Sequence, residues 1–167
     1  MPGDDAIATA EIRSASDADI PTLAAIAEQA YGVYAPRLGG KQPPAMRPDF
    51  AAFTASGNAW VTVGAGQVLA YVLAAPGSRA EPGDAGDDTW VIDNIAVAPA
   101  AQGRGLGRRL LVLAENEGRR RGFGRAALIT NIVMTENQAL YRRLGWRETG
   151  QRRRKGMTII DYAKALT

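Results

Sequence analysis

The chain has 167 residues, enough to bury one core, and an ordinary globular composition with 46% hydrophobic and 22% charged residues. It contains neither cysteine nor histidine, which excludes disulfides, thiolate metal sites, cysteine nucleophiles, serine–histidine triads and the usual zinc sites. The net charge of +3 joins two unlike halves: residues 1–100 hold 5 Lys/Arg against 12 Asp/Glu, giving −7, and residues 101–167 hold 15 against 5, giving +10.

A cationic C-terminal half points to an anionic ligand there, the alternative being an arginine-rich solvated surface. The opening "MPGDDAIATA" is acidic and lacks the basic and apolar regions of a secretory signal. No apolar run approaches the roughly 20 residues of a membrane span. The expectation is a soluble cytoplasmic protein, a single domain over residues 1–167, with residues 1–7 a loose tail.

"TAEIRSA" (9–15) alternates as a first strand. Ser16 or Asp17 is placed to cap a helix carrying Ile20, Leu23, Ile26 and Ala27 on one face and ending near Gly32. "APRLGGKQPPAMRP" (35–48) is a Gly- and Pro-rich loop, and a short helix follows over Pro48–Ser56. Residues 58–77 read as a hairpin around Gly64-Ala65-Gly66, and 77–88 as a polar loop. "TWVIDNIAVAP" (89–99) is a third apolar run, stopped by Pro99.

From Arg104 the period changes to that of an amphipathic helix, with Leu106, Leu110, Leu113 and Ala114 on its stripe, Glu115 and Glu117 mid-helix, Arg119, Arg120 and Arg121 at its cationic end, and Gly122 beyond it. "RAALIT" (125–130) is a buried strand and "TENQALYRRLG" (135–145) a short helix. Two final strands run around Gly156, with Arg152–Lys155 as a solvated turn. No aromatics interleave with that run, which argues against nucleic acid. Hairpins together with one strand–helix–strand crossover give a mixed α/β sheet.

The stretch "AQGRGLGRR" stands where a strand ends at Val97 and a helix opens. The first amides of a helix lack intrahelical acceptors and carry partial positive charge. Glycines at 103, 105 and 107 hold side chains away from them, and Arg104, Arg108 and Arg109 add mobile charge. Such a turn is an anion cradle suited to phosphates, or else a turn made for tight helix–strand packing. It is not a Walker loop, because Arg108 and Arg109 follow Gly107 in place of Lys-Ser/Thr. Nor is it a dinucleotide fingerprint, because the spacing is G-x-G-x-G with no acidic ribose ligand downstream.

"IAVAPAAQGRGLGRRLL" resembles the acetyl-CoA signature of the GNAT superfamily of N-acyltransferases, Q/R-x-x-G-x-G/A, with Gln102, Gly105 and Gly107 in those places. "MTENQALYRRLGW" is similar to the family's later motif, through Asn137, Tyr141, Leu144 and Gly145. The resemblance is specific over Val91–Arg147. It implies a mostly antiparallel mixed sheet of six to seven strands with about four helices, and acetyl-CoA as acyl donor without a metal.

It further implies that amides from Gln102 through Gly103, Arg104, Gly105, Leu106, Gly107 and Arg108 hold the pyrophosphate. The pantetheine arm then pairs with the backbone of Ile95, Ala96 and Val97, and Asn137 bonds the arm. Tyr141 resembles the family's general acid. A phenol of pKa about 10 is a reasonable donor to a developing thiolate of pKa about 8.5. The base is either Asp93 or a water held by Asn94, since Val91 stands where the family often has a glutamate. Tyr31, Tyr34 and Arg37 fall where the family builds its acceptor pocket. The implied activity is transfer of acetyl to a primary amine on a small molecule or peptide, with a homodimer left open. A non-catalytic acyl-CoA-binding regulatory module is the alternative.

Overall fold

Among the described residues, seven strands form one mixed sheet in the order β1-β2-β3-β4-β5-β7-β6. They are β1 (Glu11–Ser14), β2 (Ala59–Gly64), β3 (Gln67–Pro76), β4 (Thr89–Val97), β5 (Arg125–Asn131), β6 (Arg147–Arg154) and β7 (Met157–Ala165). The helices are α1 (Asp4–Ala8), α2 (Ile20–Gly32), α3 (Phe50–Ala55), α4 (Leu106–Arg120) and α5 (Thr135–Arg143). The computed structural model describes residues 3–77, 86 and 88–167. The polar loop expected over 77–88 therefore falls mostly outside the described residues. The chain forms two compact units, Met1–Ala74 with Asn94–Ala114, and Ala75–Asp93 with Glu115–Thr167.

In the first unit β1, β2 and β3 are joined antiparallel. The β2–β3 turn is Ala65 (φ 49°) and Gly66 (φ 76°), two left-handed residues whose twist matches that of a right-twisted hairpin. Leu69 to Ala75 are all buried, so this strand is a continuous apolar run, not an alternating one. Leu23 and Ala27 of α2 are wholly buried as well.

Within the loose tail expected over residues 1–7, the described part from Asp4 onward is ordered as a helix. Asp4–Ala8 is helical, and Ala6 and Ile7 are buried. A Cβ at Gly64 would stand 2.3 Å from the Ala6 carbonyl oxygen, so the absent side chain is what lets α1 settle on the hairpin. Hydrophobic patterning over so short a segment is silent because the contact is long-range. Among the described residues there are accordingly five α-helices, against about four expected.

Helix α2 is entered through a tight turn, Asp17–Asp19. The Asp19 carboxylate accepts from Ser16 N (2.8 Å) and Oγ (3.1 Å), and from both terminal nitrogens of Arg13 (2.8 and 2.9 Å). The Arg13 guanidinium, helped by the Ser16 bonds, holds this carboxyl far below the usual carboxylate range, against the opposing effect of burial. A depressed folded-state pKa gives stability that is complete above the unfolded carboxylate value and is lost as pH falls from there through the folded-state value. Asp19→Asn is therefore expected to cost about 1–2 kcal/mol at pH 7 in urea unfolding. That deficit should shrink progressively below about pH 4; a deficit independent of pH would contradict the assignment.

The Gly- and Pro-rich loop contains two short 3-10 turns, Ala35–Leu38 and Pro44–Met46, with Met46 buried. Helix α3 starts later than the expected Pro48 because the Asp49 side chain caps it, accepting from Ala52 N at 3.0 Å.

In the second unit β5 and β7 pair antiparallel from Arg125↔Ala165 to Asn131↔Ile159. β4 pairs parallel with β5 over Thr89–Val91 and Arg125–Ala127. The β6–β7 turn is Lys155 (φ 49°) and Gly156 (φ 77°). Arg152, Arg153 and Arg154 are therefore strand residues of β6, correcting the solvated turn expected over Arg152–Lys155. Trp90 is fully buried, and a Cβ on Gly118 of α4 would meet its ring at 2.7 Å and Leu166 at 2.8 Å. The missing side chain at 118 admits the indole against the helix.

Candidate active site

In the first unit β4 ends at Val97, a 3-10 turn covers Pro99–Ala101, and α4 begins at Leu106, two residues later than the period change suggested. Gly103 (φ 78°) and Gly105 (φ 82°) are left-handed, and a Cβ on either would meet nothing within 4 Å. Their glycine requirement is conformational. Gly107 lies in the first turn of α4, where a Cβ would make an ordinary 3.7 Å contact with Val97. Its part in the cradle is space, not backbone shape.

The first helical bond runs from Arg109 N to Gly105 O (3.1 Å). Among the described residues the six amides from Gly103 to Arg108 donate to no protein acceptor. Gln102 braces this turn, its Nε2 donating to Val97 O at 3.0 Å. The nearby arginines are less mobile than expected. Arg104 is paired with Asp4, and Arg109 donates to Ala10 O at 2.7 Å. Arg108 is exposed.

Strand β4 divides its candidates by parity. Asp93, Ile95 and Val97 are half-buried, and Asn94 and Ala96 are buried. Asn94 Oδ1 accepts from the Tyr71 hydroxyl (2.6 Å), and its Nδ2 donates to Ala45 O (2.9 Å). Two bonds thus commit this side chain to fixing the Pro44–Met46 turn, which its position inside an apolar strand did not reveal. Tyr31 donates its hydroxyl to Ile95 O at 2.6 Å, bringing α2 to the strand. Tyr34 and Arg37 stack on each other, the guanidinium carbon 5.2 Å from the ring centre.

In the second unit Tyr141 is buried on α5, its ring 5.7 Å from that of Tyr162 and 6.5 Å from that of Trp146. Asn137, half-buried one turn earlier, directs Nδ2 toward Met134 Sδ at 3.8 Å. The end of α5 is held by a buried charged cluster that sequence reasoning missed. Glu115 accepts from Trp146 Nε1 (3.1 Å) and from Lys164 Nζ (3.0 and 2.9 Å), while Lys164 Nζ also donates to Leu144 O (2.7 Å). Glu115 falls beside Ala114 at the margin of the apolar stripe of α4, and that position was the available signal.

The same unit holds a cleft of about 230 Å³ where the β4–β5 register ends. Its lining includes the polar side chains of Thr89, Asp93, Arg125, Thr149, Arg152, Arg154, Asp161 and Tyr162. The two β6 arginines share a face by strand alternation, a pattern present in "QRRRK" once the segment is taken as a strand.

A family model described as acetyltransferase (GNAT) family matches residues 25–146, well over half of the chain. The chain belongs to the GNAT acetyltransferase family. This GNAT chain is 28% identical over 153 residues to the uncharacterized N-acetyltransferase YjgM of Escherichia coli (strain K12), covering 89% of the chain and 82% of that relative. Its fold is that of the ribosomal-protein-S18-alanine N-acetyltransferase from Escherichia coli, with a TM-score of 0.69, 23% identity, and 95% of each chain covered. It is similarly that of yncA, a putative acetyltransferase from Salmonella typhimurium with its cofactor acetyl-CoA, with a TM-score of 0.66, 22% identity, and coverage of 95% of this chain and 94% of that one. The GNAT match spans the glycine turn and α5, the two places where the sequence carried the resemblance. Among the described residues no helix is long and apolar enough to cross a membrane.

Proposed function

We propose that the protein transfers acetyl from acetyl-CoA to a primary amine. The observation that carries this reading is the run of six amides, Gly103 to Arg108, that donate to no protein acceptor among the described residues. The first amides of a helix carry partial positive charge and have no intrahelical acceptor, and a diphosphate supplies oxygen acceptors to them. The residues fit that group: two left-handed glycines shape the turn, open space lies beyond their α-carbons, and Arg108 stands exposed beside them.

When bound, acetyl-CoA supplies an acetyl thioester whose C–S bond breaks as the C–N bond to the acceptor forms. The carbonyls of Ile95 and Val97 already accept from Tyr31 and Gln102. The family resemblance assigns the backbone of Ile95, Ala96 and Val97 to pairing with an extended arm laid along this strand. Asp93 takes the proton lost by the amine. Tyr141 gives the phenolic proton to the leaving sulfur, and Asn137 orients the arm. Positioning and hydrogen bonding supply the rate, with no covalent enzyme intermediate.

Titration calorimetry with CoA and mass spectrometry of acetylated product test this. Gly105→Val should weaken CoA binding about 100-fold, because a β-branched residue at a φ of 82° is strained and the turn must reshape. A variant with unchanged Kd and unchanged melting, or an unaltered protein without affinity for CoA, overturns the reading.

A further inference from the structure

Helix α5 ends in a cap that can be followed bond by bond. Trp146 N donates to Tyr141 O at 3.0 Å and Gly145 N to Arg142 O at 3.1 Å, with Gly145 left-handed at a φ of 84°. These are the two bonds of a Schellman ending, in which a residue of the last helical turn faces the residue after the glycine. Here the facing pair is Tyr141 and Trp146, with ring centres 6.5 Å apart. The phenol assigned as the acid therefore belongs to the cap itself.

That cap is held from outside α5. Glu115 of α4 accepts from the Trp146 indole at 3.1 Å, and Lys164 of β7 donates to the Leu144 carbonyl at 2.7 Å. The two holding groups are also joined to each other, Lys164 Nζ lying 3.0 and 2.9 Å from the Glu115 oxygens. Arg119, one turn further along α4, approaches Glu115 at 3.7 Å. The ammonium has three N–H groups and meets three acceptors, so its direction is set. The stem runs close beneath the cap: a Cβ on Gly145 would lie 3.8 Å from Lys164 Cε.

A buried ion pair is a poor source of stability, because desolvation offsets most of the attraction and apolar residues of similar volume often hold as well. Apolar packing at these two positions would join α4, β7 and α5, but it would not direct the Leu144 carbonyl or the Trp146 indole. We propose that Glu115 and Lys164 are positioning residues, which hold the α5 cap through those two groups and so keep the Tyr141 phenol at one place and angle. They act through the cap and not on the substrate. The consequence for turnover rests on the acetyl-transfer reading; the placement of the phenol does not.

The test neutralises the pair without leaving a buried charge alone, in the double variant Glu115→Gln with Lys164→Met. Gln keeps an acceptor for the indole, and Met keeps much of the lysine stem. Lys164→Arg is the conservative control, and melting curves fix a temperature at which every variant is folded. If the double variant does not fold, Lys164→Met alone takes its place. Carbon-13 NMR with the label at tyrosine Cζ follows the phenol without any activity, and Tyr141→Phe identifies its signal. That signal should move or broaden in the double variant and stay near its original place in Lys164→Arg.

Thiol release from acetyl-CoA is then measured with ethylamine, agmatine and an alanyl peptide as trial acceptors. With the fastest of them the double variant should turn over about ten-fold more slowly, with KM for acetyl-CoA within about three-fold of the original. In a Tyr141→Phe background the same two substitutions should cost less than about two-fold, since the group they place is gone. An unmoved Tyr141 signal, unchanged turnover, or an equal loss with and without the phenol overturns the proposal. If no trial acceptor reacts, the Tyr141 signal alone decides the positioning, and it is a lack of affinity for CoA that removes the acetyl-transfer reading.

Discussion

Tyr141→Phe is expected to lower turnover by about 100-fold or more while leaving the CoA dissociation constant within about three-fold of the original. The ring sits buried between Trp146 and Tyr162, so losing one oxygen keeps its packing. What disappears is the phenolic proton. A thiolate of pKa about 8.5 must then leave without a donor or wait for water. The deficit should therefore depend on the leaving group. With an acetyl thioester of a more acidic thiol the variant should recover much of its rate, as a purely structural defect would not allow. Steady-state thiol release with the two donors measures this. Turnover within three-fold of the unaltered protein, or a deficit indifferent to the thiol, would remove Tyr141 from the chemistry.

The largest stability effect is expected at Glu115. The side chain is 4% exposed, and it gathers the Lys164 ammonium and the Trp146 indole N–H around one carboxylate. Glu115→Ala leaves the ammonium with Leu144 O, and strips Trp146 of its acceptor. Removing one partner of a buried pair costs about 3–5 kcal/mol, and the 23% exposure of Lys164 places this case near 3. For a chain of this length that corresponds to a melting point lowered by about 6–12 °C. Glu115→Gln keeps an acceptor for both donors and should lose clearly less. Urea unfolding of both variants decides; a loss below about 1 kcal/mol for Glu115→Ala would mean that water replaces the carboxylate without penalty. The cluster ties α4, β7 and the end of α5 together, so loosening it should also slow turnover through Tyr141.

The strands and the four longer helices were legible because each carries its own period: alternation or an unbroken apolar run for strands, the Leu106–Leu110–Ala114 stripe for α4. The glycine turn was legible because backbone shape there is written in residue type; positive φ at 103 and 105 leaves little choice but glycine. Three features were hidden for one common reason, that their partners are distant in the chain. Helix α1 exists because Ala6 fits over Gly64. Asn94 is bonded to Tyr71 and Ala45, and nothing within a few residues of it says so. Glu115 looks like one more solvated helix charge until Lys164 and Trp146 are folded against it. The β6 arginines failed differently. A run of like charges suggested a turn, but the turn needs only two left-handed residues, Lys155 and Gly156, and the preceding arginines were free to extend.

The proposed diphosphate grip is one of main-chain amides, which every residue except proline supplies. Most single substitutions across 103–108 should therefore leave it in place, and only the two left-handed glycines are fragile. Such a chain can drift far in the side chains of this turn while its use of the donor persists. Libraries randomised at Arg104 and Arg108 should keep most of the CoA binding that libraries at Gly103 and Gly105 lose.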